Sequence, residues 1–226
     1  PTTKHEEIFK NIMSMSPNSF VLIEKPLSCS VKSSRFILQL AEKNNIAFTV
    51  NYFREFEPTY RLIANKVLDG ALGFPIKSKL KYNRGILNNA SHFIMYVSNF
   101  YREFKNLELI RRYNQVNEFD TNLDINLEFE NGNAELNYTK DINSYFQFEI
   151  EGPKGKLLFD NTNDKIYFKG GKDNKFNNLF RDNGYINSNL NLYQKFVYDN
   201  IFDHLKNKSE LFCDKSRVNR LINIYD

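Results

Sequence analysis

A lysine stands at the end of a short apolar run, where residues 20–23 (FVLI) are followed by Glu24, Lys25 and Pro26. The run is consistent with a strand buried on both faces, and it stops here because Pro26 cannot donate a ladder hydrogen bond. Open α/β folds place their ligands at the carboxyl ends of parallel strands. An ammonium group at that edge could hold the oxygen of a reacting hydroxyl and stabilise negative charge as a hydride leaves. The alternative is a solvated lysine before a turn.

An asparagine and a histidine four residues apart form a second candidate, in the stretch RGILNNASHF over residues 84–93. On a helix, Asn88 and His92 lie on one face and could address one substrate together. An imidazole can act as a general acid or base, whereas an amide only donates and accepts hydrogen bonds. The alternative is that Asn88, Asn89 or Ser91 caps the helix while backbone groups satisfy His92.

Three further polar residues are supporting candidates for substrate binding. Tyr52 follows the second predicted strand and could face the same cleft. Arg54 and Arg84 could bind anionic groups, such as the phosphates of a nucleotide sugar. Each of them could instead form a surface or interdomain ion pair.

The composition is that of a folded protein. The chain has 226 residues, of which 41% are hydrophobic and 26% charged, and this is enough for a substantial core. The 31 basic residues are interspersed with 27 acidic ones, so we expect no nucleic-acid partner. No apolar run approaches the ~18 residues needed to cross a bilayer, so we expect no membrane partner.

Cysteines and histidines are few and scattered. Cys29, Cys213 and the three histidines show no metal-ligand spacing, so we expect no metal site. No secretory signal is visible, and we therefore expect reduced thiols and a cytoplasmic protein.

The first part of the chain alternates helices and buried strands. Its predicted elements are helix 5–15, strand 20–23, helix 31–43 and strand 46–50. This order favours parallel strands joined by right-handed crossovers, as in one half of a doubly wound sheet over residues 1–52.

The rest of the chain changes to a hydrophobic period of two from about residue 118, which is typical of half-buried antiparallel strands. Asn131-Gly132 is a strong hairpin signal, and the alternation continues over residues 145–160 and 165–171. Residues 173–189 are polar and are predicted to form a long loop. The other predicted elements are helices 58–68, 89–100, 190–205 and 215–224 and strand 76–82. Residues 53–226 are therefore predicted to be an α+β unit with a large, mostly antiparallel open sheet flanked by helices.

Four segments, in order and at consistent spacing, resemble the Gfo/Idh/MocA oxidoreductases. The segments are PTTKH, VLIEKPLS, TVNYFREFEPTY and RGILNNASHFI, and the later stretch EIEGPKGKLLF fits a sheet strand of the same family. The resemblance covers nearly the whole chain. It implies a Rossmann domain followed by a substrate-binding domain with a large open sheet, and NAD(P)-dependent chemistry on a sugar, polyol or nucleotide sugar.

The resemblance also implies roles for individual residues. Lys25, in the family's Glu-Lys-Pro motif, would be catalytic, and the Lys–Pro bond of that motif is often cis. The family places an acidic residue four positions before its histidine, and here that residue is Asn88. An amide cannot take a proton, so relay through this pair is in doubt, and Lys25 and His92 remain the acid/base candidates. Asn88, Tyr52 and Arg84 are expected to bind substrate.

Cofactor and partner expectations follow from the same resemblance. Thr2 and His5 match a family segment that runs beside the dinucleotide, and with Glu24, Lys25 and Pro26 they form the expected NAD or NADP contacts. The family commonly pairs its open sheet between subunits, which implies a homodimer or homotetramer.

The phosphate-binding motif of the family, G-x-G-x-x-G, does not occur in these 226 residues. By the resemblance, residues 1–52 correspond to the C-terminal half of a Rossmann domain, and the chain alone is expected to bind the dinucleotide poorly and to be inactive. The alternative function is a non-catalytic family member that acts as an oligomerisation or sugar-binding module.

Overall fold

The computed structural model describes residues 1–16, 19–141, 146–160, 162–171, 174–180 and 184–226. Tyr145, where a strand was predicted to begin, lies outside the described residues, as do positions 173 and 181–183 of the predicted loop. Within the described ranges, no helix is both long enough and apolar enough to cross a bilayer.

The first part of the chain forms the predicted helix–strand–helix–strand unit. The elements are α1 (His5–Met15), β1 (Val21–Ile23), α2 (Val31–Lys43) and β2 (Phe48–Val50). Strands β1 and β2 pair in parallel, with Val21 opposite Phe48 and Ile23 opposite Val50. Ser30 is the last residue of the loop between β1 and α2, and it caps α2 because its Oγ accepts the Ser33 N–H at 3.2 Å.

The C-terminal segment ties this unit to the rest of the chain. The carbonyl of Cys213 accepts hydrogen bonds from the Val50 N–H at 3.2 Å and from Thr49 Oγ1 at 2.8 Å. Helix α6 (Lys215–Tyr225) follows directly and packs against α2, where Arg35 pairs with Asp226. Because these contacts join the two ends of the sequence, the small sheet is held against the larger unit.

The larger unit is built on an eight-stranded sheet. Its strands are β3 (Ile76–Tyr82), β4 (Phe104–Asn117), β5 (Asp120–Phe129), β6 (Gly132–Tyr138), β7 (Phe146–Gly152), β8 (Gly155–Asp160), β9 (Lys165–Gly170) and β10 (Tyr185–Asn187). The strand order is β10-β9-β8-β7-β3-β6-β5-β4. All neighbours are antiparallel except β3 and β6, which confirms the predicted mostly antiparallel sheet.

Two strands were missed by the sequence analysis. Strand β4 is exposed along most of both faces, so it shows no alternation of apolar and polar residues. Strand β10 has three residues and falls inside the predicted loop 173–189, so the loop prediction was wrong over those positions. Both strands lie at the outer edges of the sheet, where burial imposes the weakest pattern.

Helices cover one face of the sheet. Helix α3 (Pro58–Leu68) has the predicted bounds and is capped by Glu57, whose Oε2 accepts the Tyr60 N–H at 2.7 Å. The predicted helix 89–100 was wrong at both ends, because a π-helical turn (Ile86–Ala90) precedes the shorter α4 (Ser91–Val97). Helix α5 (Tyr193–Asn207) begins after a 3-10 turn and replaces the predicted helix 190–205.

The core lies between these helices and the inner face of the sheet. Phe148 and Phe159 stack with ring centroids 4.0 Å apart, and Tyr60 and Tyr96 meet edge to face at 5.2 Å above them. Every residue of α4 is buried, so this helix lies inside the core and gives its side chains a rigid support.

Candidate active site

Lys25 extends from the carboxyl end of β1 toward the larger unit. The Lys25–Pro26 peptide bond is cis, as the resemblance implied. Its ammonium Nζ donates to Asn88 Oδ1 at 2.9 Å and also to the Asn88 backbone carbonyl. The side chain is half-buried, and burial lowers the pKa of the ammonium group, an effect that nearby Arg54 increases and Glu24 opposes. Lys25 is therefore a partly desolvated cation held by a fixed amide.

The turn that presents Asn88 has an unusual backbone. Arg84 and Gly85 both have positive φ, at 62° and 93°, immediately before the π-helical turn. Two side chains from β5 hold this turn in place. Asp120 accepts the Leu87 and Asn88 N–H groups at 3.0 and 2.9 Å, and Asn122 accepts the Gly85 N–H at 2.9 Å.

Both ends of the Asn88 amide are already engaged. Its Oδ1 accepts from Lys25, and its Nδ2 donates to the Arg84 carbonyl at 3.2 Å. The substrate-orienting role expected for Asn88 is thus accompanied by a structural one, because the amide links Lys25 to the turn.

His92 lies in the first turn of α4 and is only 5% exposed. Its ring meets Tyr52 edge to face at 5.4 Å and Phe53 at 4.7 Å between centroids. Burial holds the pKa of His92 well below its usual range, and the positive charges of Arg54 and Lys25 lower it further. The imidazole is therefore neutral at neutral pH, and the same shift makes it a weaker base than an exposed histidine.

A 3-10 turn, Phe53–Glu55, places Arg54 close to His92. The Arg54 guanidinium is 7% exposed and lies 4.7 Å from the centroid of the Phe53 ring. The turn is anchored by Glu55, which accepts from Arg217 Nη2 at 2.8 Å and from Asn99 Nδ2 at 2.9 Å. Burial raises the pKa of Glu55, and Arg217 opposes that rise. This buried pair fixes the segment that supports His92.

One cavity of about 540 Å³ brings these groups together. Lys25, Asn88 and His92 lie on its walls with Arg54 and Arg84, as the sequence suggested that they could. A volume of this size is within the range of small-molecule sites.

Four further residues that line the cavity were not predicted from the sequence. Asp164, from the turn between β8 and β9, and Leu190, Asn191 and Tyr193, at the start of α5, complete the lining. No local pattern marks these residues, because they reach the cavity only through the pairing of distant strands. With His92 neutral, the charged residues that line the cavity within the described part of the chain are the cations Lys25, Arg54 and Arg84 and the carboxylate Asp164, so this lining is electropositive.

Other predicted site residues lie elsewhere. Tyr52 is 2% exposed and packs behind His92, outside the cavity lining, and burial raises its pKa. Glu24 is exposed beside Lys25 and accepts from Asn51 Nδ2 at 2.9 Å. His5 Nδ1 lies 3.2 Å from the Leu27 carbonyl oxygen, and Thr2 borders a separate groove of about 390 Å³. Thr2, His5, Glu24 and Pro26 are all absent from the cavity lining, and of the four only Glu24 and Pro26 adjoin Lys25 in the chain.

The resemblance assigns one end of a dinucleotide to the edge at Glu24–Pro26. Of these three residues Lys25 lines the cavity, where its half-buried ammonium lies with the neutral imidazole of His92, so polar groups that could contact a nicotinamide end are present. For the pyrophosphate, the 226-residue sequence offers no G-x-G-x-x-G loop. In the described part of the chain, no cluster of three or more His, Cys, Asp or Glu side chains could hold a metal ion.

Comparison with known proteins defines the fold. No protein-family model matches the sequence, and no curated protein matches it. Among solved structures, an oxidoreductase from Sinorhizobium meliloti matches 100% of this chain and 73% of its own at 12% identity, with a TM-score of 0.77. The UDP-N-acetylglucosamine 3-dehydrogenase of Acidithiobacillus ferrooxidans matches 99% and 73% at 10% identity, with a TM-score of 0.74.

A third match carries bound ligands. An oxidoreductase from Agrobacterium radiobacter, solved with NAD+, L-tartaric acid and magnesium, matches 99% of this chain and 73% of its own at 12% identity, with a TM-score of 0.70. The chain thus has a fold found in oxidoreductases, with a small parallel sheet and a large, mostly antiparallel one. At these identities the likeness establishes the fold, and the chemistry must be argued from the cavity.

Proposed function

We propose that the chain provides the substrate-binding and proton-transfer side of an NAD(P)-dependent oxidoreductase that acts on a hydroxyl or carbonyl of a sugar, polyol or nucleotide sugar. The observation that carries this proposal is that Lys25, from the end of β1, and His92, from α4, line one cavity. The fold shared with solved oxidoreductases and the Gfo/Idh/MocA-like segments support it. In this view residues 1–52 are the C-terminal half of the dinucleotide-binding domain, and residues 53–226 form the substrate-binding and oligomerisation domain.

Oxidation of a hydroxyl removes a hydride, with its electron pair, from carbon and a proton from oxygen. A nicotinamide cofactor bound beside Lys25 would supply the acceptor for this hydride. The Lys25 ammonium donates a hydrogen bond to the substrate oxygen and stabilises the negative charge that develops on it. The neutral imidazole of His92 accepts the hydroxyl proton, and in the reverse direction it returns that proton to the carbonyl oxygen.

The cofactor contacts of this chain lie at one edge. Glu24, Lys25 and Pro26 would hold the nicotinamide end, beside the carboxyl end of β1, where open α/β sheets bind ligands. Thr2 and His5 would extend that contact along α1. Whether the enzyme uses NAD or NADP is left open by these residues.

The electropositive cavity favours a substrate that carries a negative group. Of the two arginines that line the cavity, Arg84 is exposed and Arg54 is buried. A phosphate or carboxylate of the substrate could therefore bind near Arg84 while the reacting hydroxyl reaches Lys25. A nucleotide sugar, sugar phosphate or uronate meets this requirement better than a neutral polyol. Phe53 and Tyr193 add aromatic side chains to the lining, which could contact the apolar side of a sugar.

We also propose that the protein is a homodimer or homotetramer, formed through the open face of the sheet. Ile110 and Val116 of β4 are large apolar side chains that are 60% and 43% exposed. A second copy of the sheet would cover them. The cytoplasmic location and the lack of a nucleic-acid partner remain predictions from the sequence.

The test uses the full-length protein encoded by the gene. Formation of reduced nicotinamide is followed with a panel of polyols, sugar phosphates and nucleotide sugars. Replacing Lys25 by Ala should lower kcat by about 100-fold or more, while the KM for the dinucleotide changes little. Lys32→Ala, an exposed lysine on α2, is the matched control and should retain wild-type turnover. Undiminished turnover in Lys25→Ala would reject the proposal.

A second candidate is a non-catalytic module that binds sugar or assembles the protein. It is favoured by the uncharged Asn88 beside Lys25 and by the lack of a G-x-G-x-x-G loop in these 226 residues. Calorimetric titration separates the two candidates. Sugar binding without any dinucleotide binding or turnover in the full-length protein would favour the module.

A further inference from the structure

A buried carboxylate lies on the far side of the turn that presents Asn88. Asp120 is 3% exposed, at the start of β5. Its Oδ1 accepts the N–H groups of Leu87 at 3.0 Å and of Thr121 at 2.9 Å, and its Oδ2 accepts the N–H of Asn88 at 2.9 Å. A carboxylate that accepts several backbone N–H groups makes stronger and more directional hydrogen bonds than a neutral acceptor does.

The backbone of the turn is shaped around that carboxylate. A Cβ added to Gly85 would lie 2.0 Å from Asp120 Oδ2, so the carboxylate occupies the space that any other side chain would need. Gly85 also has a φ of 93°, which disfavours other residues. The next inward residue of β5, Asn122, accepts the Gly85 N–H at 2.9 Å. Strand β5 therefore determines where the turn lies.

The same turn holds the lysine. Asp120 binds the N–H of Asn88, and the carbonyl and side-chain oxygens of Asn88 both accept from Lys25 Nζ. A continuous chain of hydrogen bonds thus runs from the core of the sheet to the cavity. We infer that Asp120 is a positioning residue, which fixes the Asn88 turn so that its two oxygens hold the Lys25 ammonium group in the cavity. The catalytic meaning of this inference rests on the function proposed for Lys25.

Asp120 acts on Lys25 by charge as well as by geometry. The charged groups that influence Lys25 are Glu24 and Asp120, which raise its pKa, and Arg54, which lowers it together with burial. Removing the Asp120 charge should therefore release the Lys25 proton at lower pH. If Asp120 only held the turn in place, its loss would let Lys25 move into water, and relief of burial, the largest cause of the lowered pKa, would raise that pKa instead.

The experiment measures the reactivity of Lys25 directly. Wild-type protein and the Asp120→Asn variant are labelled with a trace of acetic anhydride across a pH series, and the Lys25 peptide is quantified by mass spectrometry. We expect the labelling of Lys25 below its pKa to rise by about threefold or more in Asp120→Asn, since a shift of one pKa unit changes the free-amine fraction about tenfold. This readout needs no turnover, so it can succeed even if the proposed reaction is wrong.

Asp124→Asn is the matched control. Asp124 lies on the same strand and also accepts a backbone N–H, that of Tyr138 at 2.7 Å, together with the Tyr113 hydroxyl at 2.7 Å. Its loss should leave the labelling of Lys25 unchanged. Equal labelling in wild-type and Asp120→Asn protein, or an equal rise in both variants, would overturn the inference.

A measurement on wild-type protein decides the matter if Asp120→Asn does not fold. The amide protons of Leu87, Asn88 and Thr121 should shift together on acidification, with one shared midpoint, as Asp120 takes up a proton. Independent titration of these amides, or none, would overturn the inference.

Discussion

The side-chain oxygen of Asn88 lies 2.9 Å from the ammonium nitrogen of Lys25, so a neutral amide occupies the position beside the proposed catalytic cation. The same amide donates to the Arg84 carbonyl, and its orientation is therefore fixed at both ends. A carboxylate at this position, where the resemblance places an acidic residue, would form an ion pair with Lys25. The chemistry of Lys25 in this chain depends on the absence of that charge at position 88.

Replacing Asn88 by Asp should raise the pKa of Lys25, because an opposite charge in contact favours the ammonium form. The alkaline limit of kcat/KM should then move to higher pH, and the anhydride labelling of Lys25 should fall. Asn88→Leu, which removes the side-chain acceptor without adding charge, should move both readouts the other way. Shifts in the same direction for the two variants would contradict the contact described here.

Replacing Arg84 by Gln should weaken binding of anionic sugars selectively. An exposed arginine at the mouth of the cavity contributes mainly by charge and by paired hydrogen bonds to phosphate or carboxylate. We expect about tenfold weaker binding of a sugar phosphate at low salt, with little change for the matching neutral sugar, measured by calorimetric titration. Arg84→Lys, which keeps the charge, should recover part of the affinity. Equal losses for both ligands would argue against an anionic substrate.

The stability of the fold should fall on acidification because of His92. Its pKa is depressed in the folded state, so the unfolded chain binds a proton first as the pH falls. The contribution of His92 is therefore fully present above about pH 6.5, the ordinary value, and is lost progressively below it. Urea unfolding near pH 7.5 and pH 5 should show a smaller pH dependence for His92→Gln than for the wild type. An unchanged pH dependence would mean that His92 is not buried as a neutral base.

Removing Arg217 should destabilise the protein strongly. Its side chain is 16% exposed and pairs with Glu55, which is 3% exposed, so Arg217→Met leaves a buried carboxylate with the Asn99 amide but without its ion-pair partner. We expect a loss of about 3–5 kcal/mol in the free energy of unfolding. Arg35→Met is the control, because the Arg35–Asp226 pair is 38% and 54% exposed and should contribute at most about 1 kcal/mol. Similar losses in the two variants would contradict the difference in burial.

Much of the fold was predicted from hydrophobic periodicity and from the prolines and glycines at the ends of its elements. Helix α3 begins at a proline that fits a first turn and ends before Gly70, and both bounds were predicted. Strand β3 alternates buried and exposed residues without interruption. Strand β4 gave no such signal because most of its residues are exposed on both faces, so local sequence could not distinguish it from a loop.

The site was predictable only in part. Residue type and chain position made Lys25 and His92 candidates, the resemblance implied their roles, and the structure brings both to one cavity. Asp120 and Asp164 could not be found in this way, because each acts on residues that are distant in sequence. The π-helical turn was missed for the same reason, since it is held by the Asp120 carboxylate and not by a local cap.

The cavity lining comes from two separate parts of the chain. Lys25, Asn88 and His92 depend on β1, the π-helical turn and the buried α4, whereas Leu190, Asn191 and Tyr193 come from the segment that leads into α5. One ring contact joins the two parts, because Phe53 packs on His92 at 4.7 Å and on Tyr193 at 5.0 Å between centroids. Exchange of residues 190–192 with Tyr193 kept is therefore a way to reshape the cavity while the proposed proton-transfer groups stay in place.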